Sequence, residues 1–387
     1  MQLNRLLFQA LQRPKTHATI LLLAWCLLHL VLLFHFGIVT GFESRKYIEQ
    51  ADNLLRHGTY TSPNFLFYST EILLVTASKK LQTGYWIVVA VQLLFNLAST
   101  YAFYKIVAKF TKRATVACFF TLTFIAMFYY QLYNVSLFTE SLYFSFSVLF
   151  FYRLLTFQKL RVWQWLQILL LLTLLYFTRP VGLFFIPATF TFLVLKFFRK
   201  KARLIFFVAG FAILGFLFLL NNSMSAGGEF DFLLPYTEGQ IICGVPSGTR
   251  YSLVIPVEKN TVQGLFYLII HYPALFFSLF FKRLLAFFGV VRPYYSLSHN
   301  LFAAFFFYSL YMLVAISIRK WLAVGRPAIF FLLMMIVLTA LATGLSCDEW
   351  HGRFIYAVFP FLMMLASLAF KRSKDNKSDS SKSNETL

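Results

Sequence analysis

Residues His17–Thr40 read HATILLLAWCLLHLVLLFHFGIVT, and Gly41–Tyr60, which follow directly, read GFESRKYIEQADNLLRHGTY. The first segment holds no acid, lysine or arginine. At ~1.5 Å per residue it is long enough to cross ~30 Å of hydrocarbon. A stretch apolar on every side belongs in lipid, where only a helix or a closed barrel satisfies its own backbone. In the second segment Tyr47, Ile48, Ala51, Leu54 and Leu55 recur at helical spacing, which describes an amphipathic helix lying on the membrane face. The later apolar runs repeat the first pattern without the alternation of a barrel strand. The expected fold is an all-α integral membrane protein carrying amphipathic helices on its outer face.

Composition agrees. The 387 residues are 59% hydrophobic and 13% charged, about half the charged share of a soluble chain, with a mean hydropathy of +0.71. The net charge of +21 comes from bases in short connections and the tail. Such placement fixes topology and meets anionic headgroups, and it argues against nucleic acid as a partner. Arg5, Arg13 and Lys15 precede the first run, which is too long for a signal-peptide core and is read as a retained span with its N-terminus inside.

Further spans are expected at Tyr85–Ile106, Ala114–Tyr130, Phe138–Tyr152, Val162–Phe177, Val181–Phe197, Leu204–Leu220, Leu301–Ile318, Ala328–Leu345 and Phe354–Phe370, giving about ten with both termini cytoplasmic. Residues 1–370 then form one transmembrane domain with outer loops at 41–84 and 221–300, and 371–387 form a disordered, Ser- and Lys-rich tail. The segment 264–289 is apolar enough to cross, but crossing would invert every later loop and break the charge bias. It is expected to lie on the outer surface or re-enter it, as one helix or a helical pair.

This threading sorts the carboxylates. Eleven of the fourteen, from Glu43 to Glu349, fall in outer connections, and the other three lie in the tail. Glu43 follows the first span, where it serves either as an N-terminal helix charge or as a general base. Glu140, at the mouth of a span, is either a capping carboxylate or a functional group at membrane depth. Arg179, before Pro180 in a hairpin turn, suits a phosphate or a lipid headgroup. Asp348, Glu349, His351 and Arg353 crowd one interface beside Trp350 and Tyr356, which suit membrane anchoring. Cys243 and Cys347 share the outer side, so a disulfide between them is open. Asn134-Val135-Ser136 fits a glycosylation sequon.

In this order the motifs resemble the GT-C superfamily of polyprenyl-phosphate-sugar-dependent glycosyltransferases, especially its protein mannosyltransferase and aminoarabinose transferase branch. The carriers are Glu43 followed by Tyr47 and Asn53-Leu54-Leu55 with Gly58 and Tyr60; Thr139-Glu140-Ser141; Thr178-Arg179-Pro180-Val181-Gly182-Leu183; and His351-Gly352-Arg353-Phe354 with Pro360. The resemblance implies inverting transfer of a sugar from a polyprenyl-phosphate donor to a glycan, lipid or protein hydroxyl. The reaction would occur at the periplasmic or extracellular face of the plasma (inner) membrane. It implies Glu43 as base and Glu140 as the acid that orients sugar hydroxyls or shares a divalent cation. Arg179 and Arg353 would hold the phosphate, His351 would assist, and Tyr47 and Asp52 would contact substrate. The family's first acid is usually Asp, often paired; here it is Glu43 followed by Ser44, with Asp52 in reserve and no DxD motif. A transporter or flippase for a lipid-linked glycan is the rival, though charge in such proteins gathers near the midplane and here it sits at span mouths.

Overall fold

The computed structural model of the chain describes residues 14–157, 162–201, 203–207, 210, 233–245, 251, 253–254 and 261–371. Among these the structure is all-helical, with two isolated bridges and no strand. The principal helices are α1 (Pro14–Phe36), α2 (Ser44–His57), α3 (Ser69–Lys80), α4 (Trp86–Thr111), α5 (Ala114–Ala126), α6 (Thr139–Thr156), α7 (Val162–Thr178), α8 (Phe185–Phe197), α9 (Thr261–His271), α10 (Pro273–Gly289), α11 (Leu297–Ser317), α12 (Arg326–Leu345) and α13 (Arg353–Ser367).

Among the described residues six segments are long and apolar enough to cross a membrane: Lys15–Phe36, Trp86–Thr111, Pro180–Phe197, Leu297–Ala323, Arg326–Leu345 and Arg353–Phe370. Two bent pairs raise the number to eight if each is one span: Ala114–Ala126 with Phe128–Val135, bent by 67°, and Gln263–His271 with Pro273–Gly289, bent by 109°. The shortfall from ten has visible causes. Helix α6 carries Glu140, Arg153 and three serines, and it is buried on nearly every side, so it need not be apolar. Helix α7 is 17 residues long. The run expected at Leu204–Leu220 lies mostly outside the described residues, as do the N-terminal basic segment, most of the 221–263 loop and the tail beyond Lys371. The segment 264–289 is a helical pair, broken where Pro273 removes a backbone donor.

In lipid, exclusion of water does not drive helices together, so close packing and internal hydrogen bonds must. Helix α13 is the hub, with every residue from Ile355 to Ser367 buried. Phe359 stacks on Phe124 of α5 at 5.9 Å, and Phe151 of α6 stacks on Phe331 of α12 at 4.9 Å, both in the offset range aromatic pairs prefer. Helix α10 lies close along α12 because Gly344 has no side chain; a Cβ there would come within 2.6 Å of the Phe280 ring. Polar groups tie the N-terminal part. Trp25 donates to Asn96 at 2.7 Å, linking α1 to α4, and Asn134 meets Gln131, His29 and Ser141 at 2.9, 3.1 and 2.6 Å. Asn134 is therefore buried and occupied, so the sequon is not presented for glycosylation.

The amphipathic reading of Gly41–Tyr60 holds in α2. Tyr47, Gln50 and Ala51 face inward, and Tyr47 and Ala51 pack with Ile72 and Val75 of α3 and with Leu137. Gly58 ends α2 in the left-handed region at φ 71°, its N–H bonded to the Leu54 carbonyl.

Candidate functional site

Two short backbone ties set the geometry at one end of the bundle. Val39 pairs with the 135–137 segment through Val39 N to Val135 O (2.8 Å) and Leu137 N to Val39 O (3.1 Å). This draws the start of α2, with Glu43, against the start of α6, with Glu140. Ile242 pairs with Asp348 through Cys243 N to Asp348 O (2.8 Å) and Asp348 N to Ile241 O (2.9 Å). Beside that tie Cys243 and Cys347 form a disulfide with Cα atoms 5.2 Å apart. The Cys347–Gly352 turn is thereby fixed, and with it the entry to α13.

Arg353, the first residue of α13, is 8% exposed and gathers three carboxylates. Its Nη1 lies 3.0 Å from Glu140 Oε1, and its Nη2 lies 3.0 Å from Glu43 Oε1 and 2.7 Å from Glu349 Oε2. Arg179 bonds the same Glu140 oxygen, and Lys46 Nζ lies 3.1 Å from Glu43 Oε2. Three acids are thus matched by three cations. The fully buried Tyr47 presents its hydroxyl 3.5 Å from both Glu43 Oε2 and Thr139 Oγ1. Lys46 also lies 4.9 Å from the Tyr68 ring centroid, within cation–π range.

Both acids sit at helix starts, as an N-terminal helix charge would, but neither caps its helix through a side-chain bond. Glu43 occupies the N-cap position of α2 without capping it, and the cap position of α6 belongs to Phe138, also with no side-chain bond. Both carboxylates turn to arginine. Arg179, extended at φ −155° and ψ 148° before Pro180, reaches Glu140 from the hairpin turn between α7 and α8.

Charge sets the protonation states around the knot. Burial raises the Glu43 pKa, but the Arg353 bond and charge, with Lys46, outweigh it and hold the carboxyl far below its ordinary range. Burial, then the charges of Glu140 and Glu43, push the Tyr47 phenol well above its usual value. Burial, then Arg353, lower the His351 pKa, so this imidazole is neutral at physiological pH. Behind the knot Asp348 pairs with Arg292, yet burial dominates and raises it to about 6. Glu71, with no exposed surface and hydrogen-bonded to Gln92, is pushed by burial well above the carboxylate range.

Glu43, Glu140, Arg179 and Arg353 therefore meet, with Tyr47 against them. His351 stands exposed at the rim, its ring edge-on to Phe42 at 6.4 Å. Asp52 is not brought in; it pairs with Lys79 at 2.5 Å, tying α2 to α3. Sequence reasoning passed over Glu349, Lys46 and Thr139 as site residues. The first two carried a signal in their helical spacing, Glu349 four residues before Arg353 and Lys46 three after Glu43. Among the described residues no three His, Cys, Asp or Glu side chains are arranged to hold a metal, and Arg353 stands between the carboxylates.

Beside this end lies an apolar cavity of about 550 Å³, walled by Leu73, Leu74, Val91, Phe95, Leu142 and Phe146 among others. Leu142 follows Glu140 by two residues, and Ser69 and Thr70 line the same cavity just before Glu71. A space suited to hydrocarbon thus lies among the helices that carry the charged knot. No family model, curated protein or solved structure matches the chain.

Proposed function

We propose that this protein is a GT-C-type membrane glycosyltransferase. It moves a sugar from a polyprenyl-phosphate donor to a hydroxyl of a glycan, lipid or protein acceptor, with inversion. One observation carries the reading: a buried guanidinium shared by three carboxylates and seconded by Arg179, at a bundle mouth beside an apolar cavity. The two arginines suit the donor phosphate, and the cavity suits the start of its lipid tail. The Cys243–Cys347 bond fits an oxidising face and so supports a site outside the plasma (inner) membrane, with the charge bias of the connections supporting cytoplasmic termini. Ten crossings follow if the bent pair of Ala114–Ala126 and Phe128–Val135, α6, α7 and 204–220 each span while 264–289 re-enters.

In the step itself Glu43 takes the acceptor hydroxyl's proton, and that oxygen attacks the anomeric carbon from the face opposite the phosphate. The carbon–oxygen bond to the phosphate breaks, and its electron pair leaves with the lipid phosphate. Arg353 and Arg179 meet the charge that grows there, which lowers the barrier only to the extent that they hold the leaving phosphate more strongly than the bound donor. The resting knot explains how Glu43 becomes a base. While Arg353 holds it, the carboxylate is too weakly basic; a donor phosphate that draws Arg353 away restores its basicity in the loaded site. Glu140 keeps Arg179 and orients sugar hydroxyls, Tyr47 fixes Glu43, and His351 assists from the rim. A divalent cation shared by Glu43 and Glu140 would have to displace Arg353.

The test is the lipid-linked and surface glycan profile of cells lacking the protein, rescued with wild type or Glu43→Gln. A glycan short of one sugar, restored by wild type alone, supports the transferase with Glu43 as base. Full-length lipid-linked glycan trapped on the cytoplasmic side replaces this reading with a flippase.

A further inference from the structure

The end of the bundle opposite Arg353 holds a second charged feature that sugar transfer does not use. Helix α13 and the turn after it carry the chain about 25 Å from Arg353 to Lys371, at ~1.5 Å per residue. There Lys109 and Lys112 from the end of α4, Lys196 from the end of α8, and Lys371 line one cavity of about 380 Å³. No carboxylate among the described residues pairs with any of the four.

Three of these lysines are held in place by main-chain carbonyls. Lys109 donates to Leu155 O at 3.0 Å, Lys371 donates to Ala323 O at 2.5 Å, and Lys196 donates to Phe157 O while lying 5.4 Å from the Phe192 ring centroid. An ammonium has three donors, so each bond leaves two for a ligand. The Lys112 side chain makes no hydrogen bond among the described residues. Helix α12 begins on the same wall, at Gly325, Pro327 and Ala328, and adds the positive end of its dipole. Burial, then the Lys112 charge, lower the Lys371 pKa, a mark of cations gathered without a counterion.

Lysines that only set topology need lie on one side of the membrane and need not converge. Lys105 behaves that way, exposed and laid over Tyr101. We propose that the four-lysine cavity binds a phosphate group, carried on a membrane lipid or free in water. Phe110, Leu155 and Phe192 supply an apolar wall against which the first methylenes of a lipid would lie. Pockets of this composition between span ends are suited to anionic headgroups.

The test uses the purified full chain in detergent. Native mass spectrometry compares retention of phosphatidylglycerol and phosphatidylcholine of equal chain length, and thermal melting reads the effect of inorganic pyrophosphate. Lipid as the source predicts roughly tenfold preference for phosphatidylglycerol, lost in Lys112→Gln/Lys371→Gln and kept in Lys105→Gln. A free source predicts no lipid preference but a pyrophosphate-induced rise in melting temperature that the same double variant abolishes. Lys112→Gln alone, which breaks no side-chain hydrogen bond, separates loss of binding from loss of fold. The proposal is overturned if neither ligand is selected, or if Lys105→Gln weakens binding as much as the cavity variants.

Discussion

The two ends of this bundle hold their charge in opposite ways. At one end Glu43, Glu140 and Glu349 are matched by Arg353, Arg179 and Lys46, and Glu140 and Arg353 are buried. At the other end four lysines share a cavity with no acid among the described residues. Neutralised charge can be buried and made rigid, so the first end can place reacting groups. Uncompensated charge must stay near water or take up an anion, so the second end suits binding. If the comparison is right, single substitutions at the first end destabilise the protein strongly, and those at the second end change its ligands more than its fold.

The largest expected effect is Arg353→Met. It leaves Glu140 facing Glu43 and Glu349 with one partner gone, and breaking a buried pair costs about 3–5 kcal/mol. Melting in detergent should fall steeply, and the glycan phenotype should equal that of the deletion. Arg353→Lys keeps the charge but cannot fork to three carboxylates, so it should fold better than Arg353→Met and still fail to restore the glycan. If Arg353→Met melts like wild type, the knot is a surface cluster and the contrast between the ends disappears.

Next comes the Cys243–Cys347 bond, which closes a stretch of 104 residues. Cys243→Ser with Cys347→Ser should cost about 2–4 kcal/mol and free the turn that delivers Arg353. Reduction of the wild type should lower its melting temperature to that of the double variant, whereas the lysine end, with no described cysteine, should keep its lipid preference under reductant.

Two acids of the first end respond to pH with opposite sign. The Asp348 pKa, raised to about 6, opposes folding when the group is ionised, by at most about 3 kcal/mol. That opposition is relieved as pH falls through 6 toward the ordinary aspartate value, because the native state then binds more protons than the unfolded one. The depressed Glu43 pKa works the other way. Its stabilisation is complete above the ordinary glutamate value and is lost as pH falls below it. Melting temperature should therefore rise from pH 7 toward pH 5 and drop below about pH 4. Asp348→Asn should lessen the rise, to which the Glu71 carboxyl, also raised by burial, contributes, and Glu43→Gln should soften the drop.

Much of the fold was legible because lipid punishes an unsatisfied backbone, so crossing segments advertise themselves as apolar runs. The sequence reads α6 as the span Phe138–Tyr152, yet its serines and Glu140 leave it short of the apolarity of the six candidate spans, because neighbouring helices and not its own composition cover them. The site was legible by residue type and sidedness. Its decisive contact, between Glu43 and Arg353 across 310 positions, was not, because it depends on the Val39 and Ile242 ties that no local pattern announces. The Cys243–Cys347 pairing was left open for the same reason. Glu349 was available from its spacing to Arg353 and was passed over in favour of the rarer histidine beside it.

The smallest expected effect concerns Asp52, which the resemblance implied as a substrate contact and as the acid in reserve to Glu43. Helical phase argues against that. At about 100° per residue the nine positions from Glu43 to Asp52 rotate by roughly half a turn beyond two full ones, onto the opposite side of α2. Tyr47 and Ala51, four and eight positions on, stay on the inward side, and Asp52 reaches Lys79 instead. Its side chain is 41% exposed, and exposed pairs contribute about 0.2–1 kcal/mol. Asp52→Asn should shift melting by no more than that and restore the glycan as wild type does, and Lys79→Gln should match it with no added loss in the double variant. If Asp52→Asn abolishes rescue while Glu43→Gln retains it, the base lies on the other side of α2, and the Arg353 knot becomes a structural clamp.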